Sequence, residues 1–500
     1  MAGPRPGGPF HRGRTPDGPR RALADGTAHS VVTPKPIRTV AGTGRAAPAG
    51  RFDRRLIAPM ILGSILNPIN SSMIAVALVP IGVAFGAPPS ETAWLVSGLY
   101  LATAVGQPVI GRLVDMYGPR RLYLIGTALV GAAGLMGALA PSLGVLIAAR
   151  VLLGLGTSAA YPAAMQLTRS ETERTGQDSP AGVLTALSVA NQTVAAVGPA
   201  LGGFLIGVGG WRAIFTVNVP LSVACLVLGA MWLPRTTTAR ERRGVDLPGM
   251  LLFSATLLSL MYFLMSPRLA HWWLLPLAAV AAAGFALREL RTAVPFIDLR
   301  VLGGTAPLLV TYLRQLLGYT TLYCFMFGFA QWLEEGRGLN AAGAGLVLLP
   351  LSLSALTVSG LTGRREAVRG KLLVGGVLQV VGCGLLLLLH SDSPVWLLLA
   401  VGVVMGIPQG LIGLANQNAL YRQAVPERIA SAAGLLRTFS YLGALGASAA
   451  GAAFFAHGAD TVGLHELALF MAAGSVLLVL VILPDRSLST LTPTLSPGKA

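Results

Sequence analysis

Residues 92–140 read TAWLVSGLYLATAVGQPVIGRLVDMYGPRRLYLIGTALVGAAGLMGALA, which is two apolar runs separated by a charged turn. Each run has about 20 residues, the length that a helix needs to cross about 30 Å of hydrocarbon. The turn, GRLVDMYGPRR at 111–121, collects glycine, arginine and one aspartate. The stretch therefore predicts two membrane-spanning helices joined by a short turn at the membrane surface.

Similar apolar segments repeat along the chain. They lie near 56–83, 92–111, 121–140, 144–167, 183–207, 213–233, 248–266, 270–288, 307–330, 340–362, 371–389, 394–420, 430–456 and 464–484. With 53% hydrophobic and 11% charged residues and a mean hydropathy of +0.67, the chain has too much apolar surface for soluble domains. We predict an all-α polytopic membrane protein with about fourteen spans, or twelve if the short seventh and eighth segments do not both cross.

The Lys and Arg residues that give the chain a net charge of +17 are unevenly placed along it. Most Lys and Arg residues fall in the N-terminal segment or in alternate loops, and only Arg212, Arg268 and Arg337 fall in the opposite loops. This bias is typical of the positive-inside rule, and it places both termini in the cytoplasm. Basic residues near anionic lipid explain the high pI, so we expect a lipid bilayer and no nucleic acid as partner.

The domain boundaries follow from composition. Residues 1–50 are rich in Gly, Pro and Arg and predict a disordered cytoplasmic tail. We then expect a six-helix bundle at 51–235, two inserted helices with their linkers at 236–300, a second bundle at 301–486 and a cytoplasmic tail at 487–500. Cys225, Cys324 and Cys383 lie far apart within apolar segments, so neither a disulfide framework nor a metal site is predicted, and no cofactor is expected.

The turn at 111–121 resembles the signature loop of the major facilitator superfamily. Its glycines, Gly111 and Gly118, permit a tight turn, while Asp115 can cap a helix N-terminus and pair with an arginine; Arg120 and Arg121 complete the loop. The resemblance implies a major facilitator fold, with two six-helix bundles related by a pseudo-twofold axis along the membrane normal and two inserted helices. It also implies that this loop is a latch that closes one conformation and opens in the other.

Two further motifs resemble those of the superfamily. The segment 146–156, LIAARVLLGLG, is similar to its fourth-helix motif with a buried arginine, Arg150, although Leu153 replaces the usual glutamine. The sequence Gly198-Pro199-Ala-Leu-Gly202-Gly203 is similar to the fifth-helix motif of its antiporters. Proline kinks a helix, and the flanking glycines let a neighbouring helix close over it. The resemblance implies that these four residues form an outer gate.

Other segments resemble one branch of this superfamily, the fourteen-helix drug:proton antiporters. They are WRAIFTVNVP at 211–220, DLPG at 246–249 and PFIDL at 295–299, and the resemblance extends over residues 56 to 456. In the first helix the branch has an aspartate where this chain has Asn70. An amide cannot titrate, so proton coupling at this position is in doubt.

The interior of the predicted bundle is net positive. Arg150, Arg314 and Arg437 lie within apolar segments, while Asp and Glu lie in tails, loops or helix ends. Arg314 and Arg437 are alternatively explained by snorkelling toward the membrane surface. A cavity lined by arginine disfavours cationic compounds, so the charge pattern predicts a neutral or anionic substrate.

The candidate cavity residues are polar side chains within the apolar segments. They are Asn67, Asn70, Gln107, Arg150, Tyr161, Gln166, Gln192, Arg314, Gln331, Gln409, Asn416 and Arg437. Each amide is alternatively explained as a hydrogen bond between packed helices, because such residues commonly bridge helices in membranes.

The function predicted from these observations is export of small organic compounds by alternating access, driven by proton antiport across a bacterial plasma membrane. The alternatives are proton-linked uptake, a membrane-embedded enzyme and a transport-inactive receptor. An enzyme is disfavoured because reactive side chains do not cluster. The nearest group, His457, Asp460, His465 and Glu466, is alternatively a solvated loop. We expect a monomer whose partners are a small-molecule substrate and protons.

Overall fold

The computed structural model describes most of the chain between Phe52 and Leu488. The described residues are 3, 52–176, 181–235, 246–265, 269–292, 295–297, 306–339, 341–363, 365, 367–456, 458–485 and 488. The predicted tails at 1–50 and 487–500 lie outside this set, apart from Gly3 and Leu488, and so stay predictions.

Helices account for nearly all of the described residues. The first half of the chain contains α1 (Ile57–Met73), α2 (Leu78–Phe85), α3 (Pro89–Thr92), α4 (Trp94–Tyr117), α5 (Pro119–Ala138), α6 (Leu143–Thr157), α7 (Ala160–Thr175), α8 (Ala181–Gly209), α9 (Ala213–Thr216) and α10 (Asn218–Trp232). Helices α11 (Leu247–Met265) and α12 (Leu274–Arg291) pack on each other and form the inserted hairpin.

The second half begins with α13 (Ala306–Cys324), which continues through two π-helical turns, Phe325–Phe329 and Trp332–Gly336. It then contains α14 (Ala341–Thr362), α15 (Val368–Leu386), α16 (Val395–Gln423), α17 (Ile429–Phe454) and α18 (Thr461–Ile482). A helix satisfies its backbone hydrogen bonds internally, which is a requirement inside the hydrocarbon of a bilayer. Both halves, being built from helices, meet this requirement.

The apolar character of these helices confirms the predicted all-α polytopic membrane fold. Eleven described helical segments are long and apolar enough to cross a membrane. Three further long helices carry charged residues within their length: α12, α13 and α17. Valines such as Val79, Val83 and Val208 are at least 75% exposed, as expected of side chains that face lipid. The number of helices that cross the bilayer stays a prediction.

Small residues bring the helices within each half close together. A Cβ on Gly202 of α8 would lie 3.0 Å from the Met73 carbonyl oxygen at the end of α1. In the second half, a Cβ on Gly410 of α16 would lie 2.5 Å from the Ala355 carbonyl oxygen of α14. Such close backbone approach replaces the hydrophobic driving force that is missing between helices in lipid.

The two halves meet along α4 and α17, and we call this contact the seam. A Cβ on Gly111 would lie 2.6 Å from the Ala430 carbonyl oxygen, and a Cβ on Gly434 would lie 2.9 Å from the Pro108 Cα. Glycine on both helices therefore allows the two backbones to touch. The seam positions the cavity described next.

Candidate substrate cavity and its closed end

A cavity of about 280 Å³ with mixed polar and aromatic walls lies between the two halves. It is lined from the first half by α1, α4, α7 and α8, and from the second half by α13, α16 and α17. The lining residues are Asn67, Pro68, Ser71, Ser72, Tyr100, Tyr161, Ser188, Asn191, Gln192, Ala195, Gln315, Tyr319, Leu322, Tyr323, Met326, Gln409, Gly413, Gln417, Leu436, Arg437, Ser440 and Tyr441.

Among the described residues that line the cavity, Arg437 alone carries a charge. Its guanidinium lies over the Tyr161 ring, with the Cζ atom 4.4 Å from the ring centroid. Planar guanidinium groups stack on aromatic faces and present a fork of donors that suits carboxylates. The cavity therefore combines one fixed positive charge with aromatic walls.

Amides and a hydroxyl supply the acceptors in this cavity. Within the described part of the chain, four buried lining atoms have no hydrogen-bond partner: Ser71 Oγ, Asn191 Oδ1, Gln192 Oε1 and Gln409 Oε1. Buried polar atoms are normally satisfied, so unpartnered ones that face a cavity are natural contacts for water or a ligand. The cavity can thus bind polar groups as well as aromatic surface.

The predicted cavity residues divide into two groups. Those that line this cavity are Asn67, Tyr161, Gln192, Gln409 and Arg437. Those that lie elsewhere are Asn70, Gln107, Arg150, Gln166, Arg314, Gln331 and Asn416. Gln107 and Gln166 are buried, whereas Gln331 is exposed and donates to Glu335 Oε1 at 3.1 Å. Asn416 donates to the lining residue Gln315, Nδ2 to Oε1, at 3.0 Å.

Asn70 belongs to a buried amide pair inside the first half. Its Nδ2 donates to Asn218 Oδ1 at 2.6 Å, and Asn218 Nδ2 donates back to Asn70 Oδ1 at 2.9 Å. Arg150 lies beside this pair, where its Nε donates to the Leu95 carbonyl at 2.8 Å and its Nη1 to the Asn70 carbonyl at 3.2 Å. Both side chains thus join helices within one half.

Arg314 lies inside the second half and forms an ion pair. Its Nη1 is 2.6 Å from Asp485 Oδ2, and its Nη2 donates to Thr311 Oγ1 at 2.5 Å. The Arg314 side chain is fully buried, with a relative exposure of 0%. Asp485, which follows α18, therefore neutralises a charge on α13.

The predicted latch lies at the seam. Asp115, near the end of α4, accepts hydrogen bonds from Ala430 N at 3.1 Å and Ser431 N at 2.9 Å, and it also accepts one from the Ser431 hydroxyl. These groups belong to the first turn of α17, where free N–H groups and the helix dipole favour an anion. An acid of the first half therefore caps a helix of the second half.

The other latch residues lie along α4, at the turn after it and at the start of α5. Gly118 has φ +90°, a left-handed conformation that lets the chain turn from α4 into α5 without strain. Arg120 Nη2 donates to the Ala230 carbonyl at 2.7 Å, within the first half, and Arg121 is exposed on α5. Gly111 makes the close contact with Ala430 described above.

The predicted outer gate lies inside the first half. A Cβ on Gly198 would collide with Ser72 of α1, while Gly202 contacts Met73. Pro199 is exposed, and a Cβ on Gly203 would meet nothing within 4 Å. Gly198 and Gly202 thus allow α8 to pack tightly on α1.

Further contacts close the cavity at the end that carries Asp115. Thr438 Oγ1 donates to the Ala104 carbonyl at 2.6 Å, and Tyr421 Oη donates to Thr172 Oγ1 at 3.1 Å. Gln192 Nε2 donates to Ser359 Oγ at 2.8 Å. Arg120, Arg121, Arg169 and Arg174 lie near Asp115 and Thr172 in the sequence, so we call this the arginine-rich end. The contacts between the two halves close it.

Several lining residues were missed by sequence reasoning although their spacing carried a signal. Gln315, Tyr319 and Tyr323 are four residues apart on α13, as are Arg437 and Tyr441 on α17. Positions four apart share one face of a helix, so a polar stripe on an apolar helix points to a wet surface. Asn218, the partner of Asn70, lies in the motif at 211–220 and within an apolar segment, but its pairing with Asn70 had no signal in the sequence.

No group of three or more His, Cys, Asp and Glu side chains that could hold a metal ion occurs among the described residues. The three cysteines are buried and free. His457, a member of the alternative metal group, lies outside the part of the chain that the structure describes.

Comparisons with known proteins identify relatives over most of the chain. The family model of the Major Facilitator Superfamily matches residues 60–448. The uncharacterized MFS-type transporter YwoD of Bacillus subtilis is 32% identical over 395 residues, which is 77% of this chain and 86% of that protein. The lincomycin resistance protein of Streptomyces lincolnensis is 32% identical over 476 residues, 90% and 96% of the two chains.

Two further relatives extend the comparison. The multidrug resistance protein Stp of Mycobacterium tuberculosis is 30% identical over 390 residues, 75% of this chain and 71% of that protein. The crystal structure of the human organic anion transporter MFSD10 (TETRAN) superposes with a TM-score of 0.63 at 16% identity, covering 87% of this chain and 100% of that one. On the family match and these relatives, the chain belongs to the major facilitator superfamily and is a multi-pass membrane transporter.

Proposed function

We propose that this transporter exports small organic compounds, neutral or anionic ones in preference to cations, by alternating access and in exchange for protons. The observation that carries the proposal is the cavity between the halves, in which Arg437 is the one charged residue among the described lining residues. Alternating access needs a site that both halves share, because each half must move around the bound substrate.

The chemistry of the cavity supports the substrate class. A compound with an aromatic ring and an acidic or strongly polar group can stack on Tyr161 or Tyr100 and accept from Arg437. A cation would bring a like charge toward the guanidinium without a carboxylate among the described lining residues to offset it.

The names of the relatives support export. They include proteins named for multidrug resistance, for lincomycin resistance and for tetracenomycin C resistance and export. We assign the chain to the fourteen-helix drug:proton antiporter branch on its motifs at 211–220 and 246–249. The positive-inside rule places the arginine-rich end in the cytoplasm of a bacterial cell, so the closed seam corresponds to an outward-facing transporter.

The substrate class is tested with a matched pair of aromatic compounds, one with a carboxylate and one with an ammonium group. In vesicles containing the wild-type protein we expect transport of the anion. Arg437→Gln should raise the apparent KM for the anion about tenfold or more, because hydrogen bonds to a charged group contribute about 1.5–3 kcal/mol. Arg55→Gln, which changes an exposed arginine before α1, is the control. Preference of the wild type for the ammonium compound would reject this class.

Direction and coupling are tested in everted vesicles with an imposed proton gradient. We expect accumulation of substrate inside these vesicles and its loss when an uncoupler is added. Asn70→Asp restores a titratable group within reach of Asn218 and tests whether this position can carry the proton. If the uncoupler does not change wild-type transport, proton antiport is rejected. Proton-driven movement of the substrate out of the everted vesicles would identify an importer.

A further inference from the structure

Two buried carboxyl groups meet in the inserted hairpin. Asp246 lies just before α11 and Glu289 lies in the last turn of α12, with relative exposures of 7% and 0%. A Cβ on Gly249 would lie 2.5 Å from Glu289 Oε1 and would also collide with Asp246 Oδ2. Since both oxygens crowd the same point beside Gly249, the two carboxyl groups face each other.

Among the residues that the structure describes, donors reach only one oxygen of each carboxyl group. Asp246 Oδ1 accepts from Arg288 Nε at 2.8 Å and from Gly249 N at 3.1 Å, and Glu289 Oε2 accepts from Ile297 N at 3.2 Å. The facing oxygens, Asp246 Oδ2 and Glu289 Oε1, have no hydrogen-bond partner among the described residues. If both carboxyl groups were ionised, each could only accept hydrogen bonds. No hydrogen would then lie between the two facing oxygens.

The charges around Glu289 do not balance when both acids are ionised. Within the described part of the chain, the charged side chains that act on Glu289 are Asp246 and Arg288. The Arg288 side chain is 37% exposed and bonds the far oxygen of Asp246, so it leaves one negative charge uncompensated. Two like charges in one buried site are unfavourable, and one proton shared between them removes the repulsion and supplies the missing donor.

We propose that Asp246 and Glu289 form a proton-binding site that holds one proton between Oδ2 and Oε1. A metal ion fits less well, because no third His, Cys, Asp or Glu side chain joins the pair among the described residues. Mg²⁺ and Ca²⁺ need about six or more oxygen ligands. The site lies outside the substrate cavity and does not depend on the identity of the substrate.

The bound proton fastens the inserted hairpin to the seam. Glu289 holds the backbone of Ile297, and the adjacent Phe296 is buried against Phe253 and Phe285, with ring centroids 5.4 and 6.4 Å away. This aromatic group belongs to an apolar core that includes Ala104 of α4 and Leu435 of α17. Loss of the proton leaves two facing carboxylates, which drives α11 and α12 apart and loosens Phe296 from the seam.

The proton is observed directly by infrared spectroscopy of the full-length protein in lipid nanodiscs. We expect a carboxylic-acid C=O band that disappears as the pH is raised and that is absent in Glu289→Gln and in Asp246→Asn. Glu91→Gln, which changes an exposed acid in α3, should keep the band. A band that both hairpin variants retain would overturn the proposal, and so would a wild-type band that Na⁺ or Mg²⁺ removes at constant pH.

The fastening is measured by hydrogen exchange of residues 295–297. In the wild type, protection of the Ile297 amide should fall at least tenfold between acidic and alkaline pH after correction for intrinsic exchange. Glu289→Gln should keep its protection over the same range, because an amide donates to Asp246 Oδ2 without titrating. Asp246→Asn also removes the facing pair of carboxylates, so it should lose the pH response as well. The same pH response in the wild type and in Glu289→Gln contradicts the proposed role.

Discussion

The interior of each half and the seam between the halves are held by different kinds of interaction. Inside the halves, Arg314 pairs with Asp485 and Arg150 donates to two helix carbonyls, and both arginines are buried. At the seam, Asp115 accepts from backbone N–H groups of α17, and glycines bring two backbones into contact. Buried arginines and their partners therefore hold the interior of each half. At the seam, a carboxylate side chain caps a helix of the other half.

This difference fits the mechanics of a transporter. In the proposed alternating access, contacts inside a half persist through the cycle, so strong buried pairs are tolerated there. In the same proposed cycle the seam contacts form and break, and Asp115 can exchange its backbone donors for water when the end opens. The contrast predicts that interior substitutions lower stability, whereas seam substitutions change the balance between closed and open states.

The largest effect is expected for Arg314→Met, in the interior of the second half. The substitution leaves the Asp485 carboxylate without the guanidinium it pairs with, and breaking a buried pair costs about 3–5 kcal/mol. Thermal and denaturant unfolding in detergent measures the loss. The double variant Arg314→Met with Asp485→Leu should regain most of it, and a double variant as unstable as the single one would show that the ion pair is not the cause.

A smaller loss is expected for Arg150→Met in the first half. Its guanidinium bonds the carbonyls of Leu95 and Asn70, which lie within helices, so no charged partner is left behind. We expect a loss of about 1.5–3 kcal/mol from the charged hydrogen bonds, measured in the same unfolding assay. Equal losses for Arg150→Met and Arg314→Met would break the distinction between a carbonyl partner and a carboxylate partner.

At the seam, Gly434→Ala should open the arginine-rich end. The added methyl group meets Pro108 Cα at 2.9 Å, and such overpacking costs about 1–3 kcal/mol in the closed state. The labelling rate of a Ser71→Cys reporter from the arginine-rich side should therefore rise about fivefold or more.

The matched control is Gly446→Ala on the same helix, where the nearest atom is Thr320 Cγ2 at 4.0 Å. It should leave the labelling rate of the reporter unchanged. A similar rate increase in both variants would mean that helix propensity, and not the contact with α4, changes the balance.

The smallest effect is expected for Tyr441→Phe. It removes a hydrogen bond between the halves, from Tyr441 Oη to Asn67 Oδ1 at 3.0 Å, that is worth about 0.5–1.5 kcal/mol. The labelling rate of the reporter should rise severalfold at most. Tyr123→Phe removes an equivalent bond inside the first half, to the Pro59 carbonyl at 2.8 Å, and should lower the unfolding temperature without changing labelling. Faster labelling in Tyr123→Phe but not in Tyr441→Phe would contradict the distinction between the interior of a half and the seam.

Much of the fold could be predicted because its signals are local. Apolar segments of spanning length and the turn at Gly111–Arg121 depend on neighbouring residues, so periodicity and composition reveal them. The candidate site was predicted only in part: Tyr161 and Arg437 line the cavity together, whereas Arg150 and Gln107, also polar residues in apolar segments, lie away from it. Residue type shows that a side chain is polar within a span but does not show which way its helix is turned.

By itself, the sequence determined that the chain spans a bilayer repeatedly, because hydrocarbon thickness and backbone hydrogen bonding leave helices of a set length as the solution. Only the tertiary structure decided which polar groups meet. Asn70 pairs with Asn218 across 148 residues, Arg314 pairs with Asp485 across 171, and Asp115 reaches Ser431 across 316. These partners depend on how the helices are rotated and packed, which is set by contacts distant in sequence that no local pattern encodes.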